Sequence, residues 1–444
     1  MQISGILSDI FLKIANKLGF QLQAKQIDFD SDFYDVSDIS MTAVLSDRLS
    51  TMIIADSDVE VTGNRSQVLS DFMEEYFKTK LKPTVFTSLG TGDCLAVPVT
   101  NGKVFDVDII TNENFAIISS IGQKIYSAVM QRDTFTRNNK TYRRFEFHGL
   151  EEVDGVSICR IYRYGYVDDK EVPLHSVKDW ENIPEETIIP NVDQLLFGRF
   201  KCPTVNRENI NSAQGVPITY GLSVAVEKAK ESYVRFNAEY QRKETKIFAA
   251  KQLWKKSNNN DKYELPSGGE YIWVKESSLD GEKLPIKEFA PDLRYNDLRG
   301  GVEFNFKMLE LFCGLSSGVL TDVQSVDLAT ATAIRASLHN TFAFINTMRK
   351  VIESGCDQLA YAISMLYNAN SQSGTIGDYE VSYRWDYQMM ENSTETFQQY
   401  LQAYGIGEIK KGEIRSWLKG ISQEQAEKDL EEVEEIPTGE DIAL

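Results

Sequence analysis

The run PITYGLSVAVEKAKESYVRFNAEYQRKETKI, residues 217–247, decides how the rest of the chain is read. Apolar or aromatic residues recur at Leu222, Val226, Ala229, Tyr233, Phe236, Tyr240 and Ile247, a helical spacing that predicts one long helix with a narrow stripe. Pro217 is placed to open it, because a proline at the first helical position gives up an N–H that has no partner there. The other faces carry Glu227, Lys228, Lys230, Glu231, Arg235, Glu239, Arg242 and Lys243. At ~1.5 Å per residue, about 30 residues make a rod of roughly 45 Å. A stripe that narrow needs a neighbouring helix to cover it.

Downstream, residues 251–292 read as a small insert of turns with a strand over residues 271–274. A second helix follows from about Asn296 to Phe312, with Leu298, Val302, Phe306, Leu309 and Phe312 on one side. It breaks at residues 313–318, and residues 319–327 read as loop. The longest helix then covers residues 328–368, about 60 Å at ~1.5 Å per residue, with Gly355 as the place for a bend. Beyond a Ser/Gly/Asn-rich break, Val381, Tyr383 and Trp385 alternate as a strand. A lone strand is not stable, so it is expected to rejoin the β-rich region upstream. Ser422 and Gln425 form a capping box, and residues 424–444 hold nine acids against one lysine, a solvated tail.

Upstream, Ile3, Ile6, Leu7, Ile10, Phe11 and Ile14 mark an amphipathic docking helix. Asp9 and the lack of a preceding basic segment speak against a signal peptide. Residues 1–80 read as helical, with an acidic linker over 26–38. A helix near 66–80, capped by Ser66, buries Leu69, Phe72, Tyr76 and Phe77. From Pro83 to about Tyr166 the period becomes two. Asn101–Gly102 joins strands at 94–99 and 104–110, and Asp154–Gly155 joins strands at 141–147 and 156–162.

The 444 residues exceed one ordinary core, so two to four packed units are expected. No run approaches ~20 apolar residues, so nothing is expected to span a membrane. The five cysteines, Cys94, Cys159, Cys202, Cys313 and Cys356, lie far apart and read as reduced thiols in an intracellular setting. The three histidines are equally scattered, so no cofactor or metal ligand set emerges. A net charge of −19 argues against gripping DNA through its phosphates, but it suits a wall that a polyanion slides past. It also suits plain solubility.

Residues 314–318, Gly-Leu-Ser-Ser-Gly, match G-x-S-x-G. A nucleophile elbow places that motif between a strand and a helix, whereas a helix precedes it here, so a hydrolase using Ser316 is the weakest reading. Residues 88–93 lack the lysine of a phosphate loop and read as a turn. Arg235, Arg242, Lys243 and Lys246 are within reach of a DNA surface, but neighbours such as Glu239 favour a solvated, paired face.

The order of these pieces resembles the portal proteins of tailed bacteriophages, most closely the siphophage branch of Gram-positive hosts. The likeness rests on residues 87–93 with the hairpin through 106–110, on residues 142–148, on residues 200–206 followed by Gly215 and residues 221–223, and on residues 239–247. It implies an α+β portal fold: a β-rich wing over 1–218, a first stem helix over 219–250, a clip over 251–293 and a second stem helix over 294–313. A tunnel loop over 314–327, a long wing helix with a returning strand over 328–389, and a helical crown with an acidic tail over 390–444 complete it. In the tunnel loop Ser316, Ser317, Val319, Thr321, Asp322, Gln324 and Ser325 would face DNA with no Lys or Arg among them, and Trp254 and Trp273 would either meet a partner at the clip or serve as its core, tryptophan being common in both settings. The resemblance implies a structural ring subunit, typically one of twelve, assembled in the host cytoplasm at the capsid vertex of the virion. Double-stranded DNA would pass through it without sequence specificity during packaging and ejection. Terminase large subunit, a head-completion adaptor, and the major capsid and scaffold proteins would be its partners. It implies no enzyme, cofactor or membrane. The alternative is another oligomeric head–tail connector or minor capsid protein.

Overall fold

The computed structural model describes residues 5–18, 40–55, 57–64, 66–100, 104–122, 124–242, 246–250, 255–256, 263–264, 272–276, 286–289, 294–321, 331–370, 375–385, 402–405 and 409–419. Its elements are both helical and extended, as an α+β reading requires. An antiparallel meander runs through β4 (Phe115–Ile121), β5 (Lys124–Arg137), β6 (Lys140–Val153), β7 (Val156–Val167) and β8 (Lys170–Val172), with β9 (Glu186–Pro190) also paired to β7. Three of its turns have two residues, both at positive φ: Asn138–Asn139, Asp154–Gly155 and Asp168–Asp169. Such turns match the twist of the flanking strands, and Asn and Asp enter that region at low cost. The Asp154–Gly155 hairpin is present as expected, but its strands are longer than the spacing implied.

One face of this sheet is covered by α1 (Gly5–Lys17), the docking helix of the sequence. Its Ile10, Phe11, Ile14 and Ala15 pack on Ala116, Ile118, Val129, Phe145, Phe147 and Tyr166, with the Phe11 and Phe145 rings edge to face at 5.6 Å. The opposite face meets Leu95, Val97, Phe197 and Ala362.

A second sheet has the order β10 (Gly198–Lys201), β2 (Asp93–Thr100), β3 (Phe105–Thr111). The expected β2–β3 hairpin is present, with Thr100 opposite Phe105, while Asn101–Gly102 lies outside the described residues. The strands do not begin at Pro83, however. Leu81–Thr91 is a helix, α4, with Pro83 in its first turn, and Gly92 ends it at φ +89°. Residues 88–93 are thus a helix end. The β-branched and aromatic residues of this stretch are overridden by packing: Tyr76 of α3 (Gln67–Thr79) donates to the Thr84 hydroxyl at 3.0 Å, and α2 (Met41–Ile54) lies alongside. In α3 the buried residues are Leu69, Met73 and Tyr76; Phe72 and Phe77 are partly buried, and Ser66 donates to the Gly63 carbonyl without capping the helix.

The N-terminal 80 residues are not all helical either. β1 (Asp58–Gly63) pairs antiparallel with β16 (Tyr379–Arg384), Val61 opposite Val381. The returning strand therefore rejoins β1 beside α3 and not the β-rich region, a partner concealed by the shortness of Asp-Val-Glu-Val.

The helix expected from Thr219 is α5 (Ser223–Arg242), and residues 217–222 are turns. The pattern through Ile247 overshoots, since β11 (Lys246–Ala250) is the central strand of a sheet with β14 (Ile272–Glu276), parallel, and β15 (Ile286–Phe289), antiparallel. A pair of two-residue strands, β12 (Lys255–Lys256) and β13 (Tyr263–Glu264), completes the insert's described part. α6 (Tyr295–Phe312) returns beside α5: Phe236 meets Tyr295 at 5.7 Å, and Arg294 donates to both oxygens of Glu239 at 3.1 and 2.9 Å. Val226, Ala229 and Leu309 close the lower end on Met41.

α7 (Ala331–Asn370) runs 40 residues without a break. Gly355 does not interrupt it. A Cβ there would come within 2.7 Å of the Arg199 carbonyl oxygen and of the Phe200 ring, and one on Gly198 within 2.5 Å of the Gly355 carbonyl oxygen. Two bare Cα atoms let α7 lie directly on β10. Gly355→Ala is expected to cost about 1–3 kcal/mol in a denaturant titration. Gly300→Ala on α6, where a Cβ meets nothing within 4 Å among the described residues, should be neutral or stabilising by up to about 1 kcal/mol in the same titration.

Candidate functional site

Two internal charge networks hold the frame on which the candidate surfaces sit. Asp93, fully buried at the start of β2, accepts from Arg199 Nε at 3.1 Å and from Arg199 Nη2 at 2.5 Å, and from the Gly215 amide at 3.0 Å. It thereby ties β2, β10 and the segment before α5 together. Asn112 adds bonds to the Thr91 and Gly215 carbonyls at 2.9 and 3.0 Å.

In the meander, residues 144, 146 and 148 share one face of β6, within the stretch 142–148 that carries part of the resemblance. Glu146 accepts from Arg144 at 2.7 Å and Arg163 at 3.0 Å, and lies 3.2 Å from His148 Nε2. Burial alone would raise the Glu146 carboxyl, but the His148 hydrogen bond and the charges of Arg132, His148 and Arg144 hold it well below the usual range. Burial dominates at His148 and pulls it below 6.5, opposed by Glu146 and aided by Arg132 and Arg163. Both networks are structural.

The five cysteines form no disulfide, and four are buried. Burial pushes the Cys202 thiol up to about 11 and those of Cys159 and Cys313 up to about 12, so none is an activated nucleophile. Ser316 donates its amide to Thr341 Oγ1 at 2.9 Å, and among the described residues no histidine or carboxylate is bonded to its hydroxyl. Among the described residues no cluster suited to a metal occurs, and no helix is long and apolar enough to cross a membrane.

The outer face of the α5–α6 pair is the notable surface. Val224 is 63% exposed, Val234 51%, Phe304 62% and Leu311 55%. Arg235 on α5 is paired with Glu231 at 3.3 Å, in keeping with a solvated, paired face, and the Arg242, Lys243 and Lys246 side chains lie outside what the structure describes. Beside the end of α6 an open cleft of 430 Å³ is lined by Val205, Ile218, Leu222, Phe312 and Phe344 among others.

After α6 the chain wraps back on itself. The amide of Gly314, at φ +76°, bonds the Leu311 carbonyl at 3.0 Å, and that of Leu315 bonds the Glu310 carbonyl at 2.9 Å, a Schellman ending. Of the described residues expected to face DNA, Ser316, Val319 and Thr321 are buried within the chain and Ser317 is exposed. The backbone there folds over the buried Glu310 side chain, a residue to which no local sequence pattern points. Asp322, Gln324 and Ser325 lie outside the described residues, as does Trp254. Trp273 is the residue opposite Ile247 in the β11–β14 pair.

Residues 310–438 match the family model described as phage portal protein, SPP1 Gp6-like. The match takes in the loop, all of α7, β16 and the helix Lys411–Lys419, and proteins of this class are structural, not enzymatic. Over that stretch the chain is similar to phage portal proteins, in line with the broad family of the resemblance and without distinguishing its branch or host. No curated protein matches. Two solved structures are similar over most of the length. One is from the neck of an empty GTA particle computed with C6 symmetry, at 10% identity and TM-score 0.39, covering 92% of this chain and 98% of that one. The other is from the virion of a native gene transfer agent particle, at 10% identity and TM-score 0.39, covering 86% and 90%. Likeness at that level decides nothing about assembly.

Replacing Asp93 with Ala is expected to cost about 3–5 kcal/mol in chemical denaturation, since it strands the buried Arg199 and the Gly215 amide. The lowered His148 pKa means that protonation favours the unfolded chain. Stability is therefore complete above about pH 6.5 and falls as the pH drops below it, by at most about 1.4 kcal/mol per pH unit from this group. Urea midpoints of wild type and His148→Gln, compared from about pH 7.5 to about pH 5.5, should converge at the acid end relative to their neutral difference.

Proposed function

We propose that the chain is the ring subunit of a portal vertex, through which double-stranded DNA passes during packaging and ejection. The observation that carries the proposal is a face of α5 and α6 on which Val224, Val234, Phe304 and Leu311 stand exposed among the described residues, beside paired charges such as Glu231 and Arg235. A monomeric protein leaves such a face wet only at a cost of about 25 cal/mol per Å². Identical copies related by rotation cover each other's faces and close on themselves, with no surface left over. Gly300 and Gly301 support the same arrangement. Mid-helix glycines weaken a helix by about 1 kcal/mol each relative to alanine, and here nothing among the described residues lies close enough to need them. A neighbouring backbone approaching α6 would. The portal match over residues 310–438 supports the placement at a capsid vertex.

In this reading Ser317, together with Asp322, Gln324 and Ser325 of the sequence, lines the passage. The absence of Lys and Arg over residues 314–327 and the net charge of −19 let DNA slide without sequence-specific grip. The insert over residues 251–293, with Trp254 and Trp273, would meet the terminase large subunit and later a head-completion adaptor. The wing would meet capsid and scaffold proteins. Twelve subunits is the number the family resemblance implies.

Negative-stain electron microscopy of the purified protein should show rings with a central hole. Phe304→Glu combined with Leu311→Glu should abolish the rings while leaving the far-ultraviolet circular dichroism of the protomer unchanged. Folded monomers from the unaltered chain at high concentration would overturn the proposal.

A further inference from the structure

We infer that Glu310 is a positioning residue that locks residues 314–321 to the end of α6, making this stretch part of the rigid helix junction and not of the surface that yields to DNA. The meaning of the stretch rests on the proposed channel, but the lock itself is read from one protomer.

The Glu310 side chain is fully buried. Its Oε1 accepts from three backbone amides, Gly318 at 3.2 Å, Leu320 at 2.5 Å and Thr321 at 3.2 Å, and its Oε2 accepts from the Thr321 hydroxyl at 3.2 Å. Among the described residues it forms no ion pair. A buried carboxylate without a cation is tolerated only when donors surround it, and charge-assisted bonds from converging amides are of the strong kind. The backbone wraps tightly enough to supply them because Gly314 and Gly318 sit at φ +76° and +120°. The main-chain carbonyl of Glu310 holds Leu315 as well, so one residue bonds the stretch at both its ends.

Two further bonds extend the junction. Ser316 donates its amide to Thr341 of α7 at 2.9 Å, and Arg48 of α2 donates to the Val319 carbonyl at 3.2 Å. The stretch is therefore held by α6, α7 and α2 together. Lifting it would expose or orphan one carboxylate and three amides at once, and partial opening leaves the group worse satisfied than either end state. The lock accordingly opens as a unit. Ser317 is held outward by a rigid support, and DNA passing it would meet a fixed surface.

Amide hydrogen exchange, resolved by residue in the full-length protein as it assembles, tests this. In Glu310→Gln the Gly318, Leu320 and Thr321 amides should exchange roughly tenfold faster than in the wild type, while the amides of β5 to β7 keep their protection. Thr321→Val, which removes only the hydroxyl donor, should raise exchange at the same three amides by a smaller factor. Unchanged exchange at those amides in a folded Glu310→Gln protein would overturn the inference. If Glu310→Gln loses protection throughout, Thr321→Val decides: a local rise supports the lock, and no change overturns it. Because the readout is local, it is the same whether or not the protein forms rings, which separates the lock from the channel proposal.

Discussion

The contact on which the rest of this chain depends is the one between α7 and β10. Gly355 on the helix and Gly198 on the strand bring two backbones together at a distance that any side chain would forbid. Around that contact the buried Asp93–Arg199 pair fastens β10 to β2, and Phe200 reaches into the helical core beside Tyr76. The long helix is thus seated on the second sheet at this contact, and Ala362 further along it packs against the meander. Everything hung on α7 inherits a fixed geometry: β1 and β16 beside it, the loop junction at Thr341, and the helix pair held below by Met41 and Leu309.

Charge is used in two different ways in the molecule. Inside, each buried carboxylate is surrounded by donors: an arginine and an amide at Asp93, arginines and a histidine at Glu146, amides and a hydroxyl at Glu310. These groups specify geometry, and losing one partner strands the others. Outside, the excess of acids gives a surface that a polyanion does not stick to. In the proposed conduit the two would serve as a stiff frame and a wall that does not bind its cargo.

Much of the fold is legible in local periodicity. The helices α6 and α7, the β2–β3 hairpin and the Asp154–Gly155 turn follow from spacing and turn chemistry alone. Where packing overrides propensity, the reading fails. Thr84, Val85, Phe86 and Thr87 look extended, yet α2 and Tyr76 hold them in a helix. Val59 and Val61 do alternate, but four residues are too few to outweigh the helical stretches on either side. At the end of α5 the apolar period runs on smoothly into Ile247, and only the pairing with β14 and β15 shows that the chain has become a strand. Glu310 is not legible at all, since its donors come from a backbone turn; Gly314 and Gly318, eight residues on at most, are the available signal. Residue type alone points the loop residues outward, whereas a carboxylate behind them turns three of the four described inward.

The proposed ring requires that the outer face of α5 and α6 be covered by another copy of the chain. The most direct test places the photoreactive residue p-benzoylphenylalanine at position 304, in place of Phe304, in the full-length protein and irradiates it. Covalent multimers whose cross-links map from residue 304 to α5 or α6 of a second copy are the predicted result. Irradiated protein that stays monomeric, or that cross-links only within its own chain, would contradict it.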